Sequence, residues 1–267
     1  KIVERIEAAM KKENDERDSI KPKAATRKPV SVDTPPENDP LYRPERFYYS
    51  DAISDNAERF IEDHFAGEHA EAPLFLYVSY TSAHWPMHAL PGDIAKYDGK
   101  YDDGYAPVYQ VRLKKMKQLG LIDPKWKIPG PVGDWSKVEL KEWESACMEV
   151  YAAMTEIMDR GIGRIVNELK KQKLFDNTLV IYLQDNGGCA EGYGRANNSQ
   201  KKEQFKFKPL GKDGLQTKIW PPMQTRDGRF VRTGPETMPG GDDTFVAYGP
   251  GWANTSNTPF RGYKHDP

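Results

Sequence analysis

Leu74-Phe75-Leu76-Tyr77-Val78-Ser79-Tyr80 is a nearly continuous apolar run, bounded by Pro73 on one side and the polar Thr81-Ser82 on the other. Such a run suits a strand covered on both faces, as in a parallel sheet. A second run of the same kind, Thr178-Leu179-Val180-Ile181-Tyr182-Leu183, follows the turn-forming Phe175-Asp176-Asn177. Between them, from about 136 to 172, apolar residues return with the helical period: Met148, Tyr151, Met154, Ile157 or Met158, Ile162, Ile165, Val166 and Leu169. Gly161 and Gly163 interrupt that pattern and mark either a kink or close helix packing. Ahead of the first run, residues 51–66 carry the apolar face Ile53, Ala57, Phe60 and Ile61, with Ser54 or Asp51 as the cap of a helix. Helix, strand, long helix, strand is the order of an α/β domain. The expectation is a partial doubly wound, mostly parallel sheet with helices on both faces and long ordered loops. The runs at 74–80 and 178–183 should be parallel members of it, since parallel strands need a crossover such as 136–172.

The remaining segments are less periodic. Residues 1–13 read as a short amphipathic helix through Ile2, Ile6 and Met10, and 14–46 as an extended excursion rich in charge and proline. Residues 90–135 carry one basic helix near 107–119, and 185–267 read mostly as ordered loops rich in Gly and Pro. The apolar share of 37% still allows a core, because it is concentrated in a few blocks. A formal net charge of -1 gives no reason to expect nucleic acid as a partner. No run approaches 18 apolar residues, so no membrane span is expected. Lys1 to Asp15 is too charged for a signal peptide, and an opening on Lys1 rather than Met points to a longer parent. Cys147 and Cys189 lack metal-type spacing.

In doubly wound sheets the chemistry lies beyond the carboxyl ends of the strands. Past the first run stands Thr81-Ser82-Ala83-His84-Trp85-Pro86-Met87-His88, and past the second Gln184-Asp185-Asn186-Gly187-Gly188-Cys189-Ala190-Glu191. Asp185 and Asn186 are hard oxygen donors suited to Ca²⁺ or Mg²⁺, and the two glycines let the backbone turn sharply behind them. On spacing alone Asp-Asn-Gly-Gly is also the composition of an ordinary turn, and His84 could be a hydrogen-bonded core histidine.

Taken in order, Thr-x-x-His-Trp-Pro and Gln-Asp-Asn-Gly-Gly-Cys-Ala-Glu resemble the sulfatase family of the alkaline phosphatase superfamily, above all its bacterial arylsulfatase-like members. Further stretches carry the likeness: Tyr49-Ser50-Asp51-Ala52-Ile53-Ser54-Asp55-Asn56-Ala57, Asp123-Pro124-Lys125-Trp126, Tyr248-Gly249-Pro250-Gly251-Trp252-Ala253-Asn254, and Asn257-Thr258-Pro259-Phe260-Arg261-Gly262-Tyr263-Lys264-His265. It runs from about 47 to 265, so that 47–267 is expected to be the central and later part of a sulfatase-like catalytic domain, with 1–46 outside the likeness. The resemblance implies an alkaline phosphatase-like fold and a metal pair at Asp185 and Asn186 for one calcium ion. It implies that His84 and Lys264 address the leaving-group oxygen of a sulfate ester. His88 and His265 take no role from it, and Cys189 only lies beside the metal pair. The substrate would be a sulfated carbohydrate or aryl sulfate, in a periplasmic or extracellular setting.

The family's nucleophile is a formylglycine, made by a formylglycine-generating enzyme from the Cys or Ser of a Cys/Ser-x-Pro/Ala-Ser-Arg motif. No such motif occurs in the 267 residues; Ala146-Cys147-Met148-Glu149 and Gly188-Cys189-Ala190-Glu191 both depart from it. The early aspartates, Lys and His of the family are missing as well. The chain is therefore expected to be an interior part of a longer enzyme and to be inactive alone. Two other readings stay open. One is a phosphomonoesterase or phosphodiesterase of the same superfamily, against which the five histidines and the lack of Asp-x-x-x-His near 185 count. The other is a non-catalytic fragment that binds sulfated glycan or serves as scaffold.

Overall fold

The computed structural model describes residues 47–196, 207–211, 214 and 224–264. The expectations for 1–46 lie outside the described residues. Helix α1, Tyr49–Ala66, begins two residues earlier than its apolar pattern indicates. Neither Ser54 nor Asp51 caps it: Tyr48 stands at the N-cap with no side-chain cap bond. Ser54 is instead a buried helical residue whose hydroxyl donates back to the Ser50 carbonyl at 2.9 Å.

Helix α2, Pro91–Ile94, is a single turn started by proline and runs into a 3₁₀ turn at Ala95–Tyr97. Helix α3, Tyr105–Gln118, is the basic helix expected near 107–119. Helix α4, Lys141–Lys171, runs for 31 residues, roughly 46 Å at the usual rise. Glu142 and Glu144 in its first turn and Lys170 and Lys171 in its last oppose the helix dipole. Gly161 and Gly163 do not interrupt it. A Cβ on Gly161 would lie 2.1 Å from Ser54 Oγ and 2.8 Å from the Tyr80 hydroxyl, whereas one on Gly163 would meet nothing. Close packing of α1 on α4, not a kink, is thus the reason for the first glycine.

Helix α5, Gly249–Ser256, falls where the sequence reads as loop. Its short, glycine-rich sequence has no apolar stripe to betray it, because almost every face is covered: Trp252, Ala253, Asn254 and Thr255 are all buried. The core forms where α4 meets α5, through Trp143, Cys147, Val150, Met154 and Ile157 with Val246, Tyr248 and Trp252. Several polar groups inside it are paired. The Trp252 indole donates to the Glu144 carbonyl at 2.8 Å, Trp143 to Thr237 O at 2.8 Å, and Tyr105 to the Glu144 carboxylate at 2.9 Å. Arg195 closes the set with an ion pair to Glu144 and lies over the Trp143 ring.

The two apolar runs differ from expectation. Among the described residues there is no β-ladder, only isolated bridges such as the parallel one between His88 and Gly240. Along 74–80 exposure alternates, with Leu74, Leu76, Val78 and Tyr80 half-buried and Phe75 and Tyr77 exposed. That is the pattern of a segment with one covered face. Along 178–183 every residue is exposed, Leu179 at 86%. A strand exists only through a neighbour's hydrogen bonds. Neither run is bonded backbone to backbone in that way with another described residue.

Candidate active site

The segment carrying His84 is fixed at both ends. Ahead of it, Tyr80 OH lies 2.8 Å from Ser54 Oγ and Ser82 Oγ 2.7 Å from Ser50 Oγ, so two α1 hydroxyls hold the loop. Behind it, Met87 N donates to Val246 O at 3.1 Å and Ala89 N to Gly240 O at 3.2 Å, which ties the chain to the core. His84 itself is exposed. Its Nδ1 lies 2.7 Å from Trp85 O; a carbonyl only accepts, so this nitrogen carries the proton. Its Nε2 lies 3.2 Å from Lys264 Nζ. In the neutral ring Nε2 accepts from the ammonium. Lys264 is thereby lifted out of the solvated role that is a surface lysine's default.

The second segment meets the same place. Lys264 N donates to Gly188 O at 3.3 Å. Asn257 Oδ1 accepts from Gly188 N at 2.5 Å, and its Nδ2 donates to Gly262 O at 2.9 Å. One amide thus staples the turn after Asn186 to the arm that carries Lys264. A Cβ on Gly188 would lie 2.8 Å from the Tyr248 hydroxyl and 3.1 Å from Ala253 O. Gly187 and Gly188 are not among the positive-φ glycines. At Gly188 close approach, rather than the sharp backbone turn expected from the sequence, accounts for glycine. Asn257 is the site residue that sequence reasoning missed: it lies in the quoted motif, but only folding brings its amide to Gly188.

Asp185 and Asn186 are exposed, and neither side chain hydrogen-bonds another described residue. As adjacent, unengaged oxygen donors they fit a hard cation in chemistry. They fit one only in part, because calcium takes about 6–8 oxygens and the described residues contain no group of three His, Cys, Asp or Glu that could hold a metal. The structure brings His84 and Lys264 into contact and joins the Lys264 arm to Gly188. No contact joins His84 directly to Asp185 or Asn186.

Neither cysteine sits where its thiolate is favoured. Burial pushes the Cys147 thiol up to about 12. Cys189 is also raised, first by burial and then by its hydrogen bond to Glu191. The reactive species would be the thiolate, which both environments disfavour. His88 has a structural place: Nε2 lies 2.7 Å from Thr244 O, and its carbonyl accepts from Tyr48 OH at 2.8 Å. His265 lies outside the described residues.

Comparison with known proteins agrees with the motifs. A family model described as Sulfatase matches residues 12–262. The chain is 34% identical over 212 residues to an uncharacterized sulfatase of Schizosaccharomyces pombe, covering 77% of this chain and 34% of that protein. It is 30% identical over 227 residues to an arylsulfatase of Klebsiella aerogenes, covering 82% of this chain and 42% of that enzyme. Arylsulfatase J of Mus musculus is 24% identical over 116 residues, 43% of this chain and 12% of that protein. The chain belongs to the sulfatase family, whose fold is the alkaline phosphatase-like α/β type. The family match starts at residue 12, well ahead of the likeness legible from about 47. The chain spans 34% and 42% of the length of the first two relatives. No described helix is long and apolar enough to cross a membrane.

Proposed function

We propose that the whole protein hydrolyses sulfate esters of a sulfated carbohydrate or an aryl alcohol, and that this chain supplies the leaving-group side and part of the metal site. The observation that carries the reading is the 3.2 Å contact between Lys264 Nζ and His84 Nε2, on an arm bonded to the turn that follows Asp185-Asn186.

Cleavage at sulfur builds negative charge on the departing alkoxide or phenoxide. His84 and Lys264 present two cationic or proton-bearing groups to one point. With Nδ1 fixed on Trp85 O, only Nε2 can face that oxygen, where it gives a proton when the ring is protonated. The Lys264 ammonium stabilises the same developing charge without transferring a proton. Asp185 and Asn186 would hold a calcium ion, which when bound offsets charge on the sulfuryl oxygens. A formylglycine, supplied by a Cys/Ser-x-Pro/Ala-Ser-Arg motif outside these residues and formed by a formylglycine-generating enzyme, would be the nucleophile. We read the runs at 74–80 and 178–183 as parallel strands of the family's sheet in the whole protein; their apolar sequence and the alternating exposure of the first support this.

The test is a comparison of the purified 267-residue chain with the whole protein coexpressed with a formylglycine-generating enzyme, each given sulfate and phosphate esters. Sulfate ester turnover by the whole protein is expected, with none by the 267 residues and weak calcium binding by them. Turnover of phosphate esters alone would make the protein a phosphoesterase of the same superfamily. Turnover by the 267 residues would overturn the assignment of the nucleophile.

A further inference from the structure

Trp85 touches both halves of the candidate site. Its carbonyl fixes His84 Nδ1 at 2.7 Å. Its indole N–H reaches across 104 residues to Cys189 Sγ at 3.0 Å, and to Glu191 Oε2 at 3.1 Å. Cys189 Sγ in turn donates to the same Glu191 oxygen at 2.8 Å. Cys189 stands three residues after Asn186 and one after Gly188, the residue whose carbonyl receives Lys264 N. The indole is wedged between aromatic rings, with centroids 4.8 Å from Tyr193 and 5.6 Å from Phe245. The His84 ring leans on it at 4.7 Å.

The indole's bonds to Cys189 Sγ and Glu191 Oε2 join the 81–88 segment directly to the 184–191 segment. The indole bond therefore sets how far the imidazole stands from the Asp185-Asn186 turn. We propose that Trp85, with Glu191 and Cys189 as its acceptors, is a positioning residue that holds His84 against the leaving-group oxygen while the adjoining turn holds the metal. The proposal rests on the reading of His84 as the group that assists departure. A single residue performs two tasks. Its backbone carbonyl selects which ring nitrogen faces the substrate, and its N–H fixes where that nitrogen stands. Geometry of this kind is worth much in rate and little in ground-state binding, because misplacement matters most when charge develops.

The experiment uses the whole protein carrying its formylglycine and a series of aryl sulfates with leaving groups of graded acidity. Trp85→Phe keeps an aromatic ring between Tyr193 and Phe245 but removes the N–H together with the five-membered ring; Glu191→Gln keeps the shape and removes the charge on the acceptor. Both should lower kcat on the order of tenfold with KM nearly unchanged. The loss should grow as the leaving group becomes less acidic, since poor leaving groups depend most on His84. In a His84→Ala background Trp85→Phe should cost nothing more, because the two act through one proton donor. Thermal melting of each variant separates misfolding from misplacement. If His84→Ala shows no leaving-group dependence, the functional reading of His84 fails. If His84→Ala shows it while Trp85→Phe and Glu191→Gln are silent, slow every ester alike, or add fully to His84→Ala, the positioning role is overturned and the reading of His84 stands.

Discussion

At the scale of single residues the proposed site divides into groups assigned to the substrate or metal and groups that hold the surrounding loops. His84, Lys264, Asp185 and Asn186 are exposed or half-exposed and spend few bonds on the protein, as groups kept for a ligand do. Asn257, Ser50 and Ser82 instead spend their bonds on backbone and on each other. Replacing Asp185 with Ala in the whole protein should abolish activity, because carboxylates supply most of the charge at a calcium site; added calcium should not restore it. Replacing His84 with Ala should lower kcat far more than it raises KM, the signature of a contact strengthened only in the transition state. Steady-state kinetics on one aryl sulfate reads both, and an unchanged kcat for His84→Ala would remove it from the mechanism. His84, Lys264, Asp185 and Asn186 were singled out in the sequence by their place in the family's motifs rather than by spacing alone. Asn257 was not, since an amide that serves as a staple looks like any other polar loop residue until its partners are in space.

At the scale of elements, α1 and α4 are joined by a small-residue contact and by charge. Gly161 meets Ser54 and Tyr80, and Arg164 on α4 forms ion pairs with Asp55 and Glu58 on α1. Gly161→Ala in the whole protein should cost about 1–3 kcal/mol, because Ser54 must turn away from Tyr80 and Ser50 or the helices must part. Gly163→Ala meets open space and should gain roughly 0.5–1 kcal/mol from helix propensity. Urea midpoints would show the two changes moving in opposite directions; equal shifts would refute the close contact. A pH effect belongs here too. Burial pushes the Asp93 carboxyl up, but hydrogen bonds from Lys96 and Arg160 outweigh it and leave the group below its ordinary value of 3.8. A depressed folded-state value gives stability that is present above that ordinary value and fades as pH falls through the depressed one. Asp93→Asn should therefore destabilise the protein at pH 7 and progressively less as pH falls through the depressed value, as read from thermal melts across an acid series. The helical period declared α1 and α4 in the sequence because each has one covered face. It could not declare α5, buried on nearly all sides, nor distinguish a packing glycine from a kinking one.

At the scale of the whole molecule the apolar runs decide what the described residues need. Phe75 at 90%, Leu179 at 86% and Ile181 at 71% exposure are side chains that each gain about 1.5–3 kcal/mol from full burial. An isolated row of such residues with unpaired backbone is a site for edge-to-edge association. Composition marks these runs as apolar, yet composition alone could not say which segments lie beside them. Two states of the whole protein are distinguishable. If 178–183 is a covered strand there, Leu179→Lys and Ile181→Lys each place a charge in the core and should cost more than about 3 kcal/mol, enough to remove soluble protein. If the run stays exposed as among the described residues, both substitutions should be neutral within about 0.5 kcal/mol and should raise solubility. The 267-residue chain gives the opposite result under the first state. With the run open to water, its lysine variants should be less prone to associate than the wild-type chain, seen as loss of high-mass species in size-exclusion chromatography and weaker binding of an apolar dye. Lysine at 179 that is harmful in the whole protein and helpful in the 267 residues would establish that this face is covered by sequence beyond them; harmless substitution in both would refute the strand.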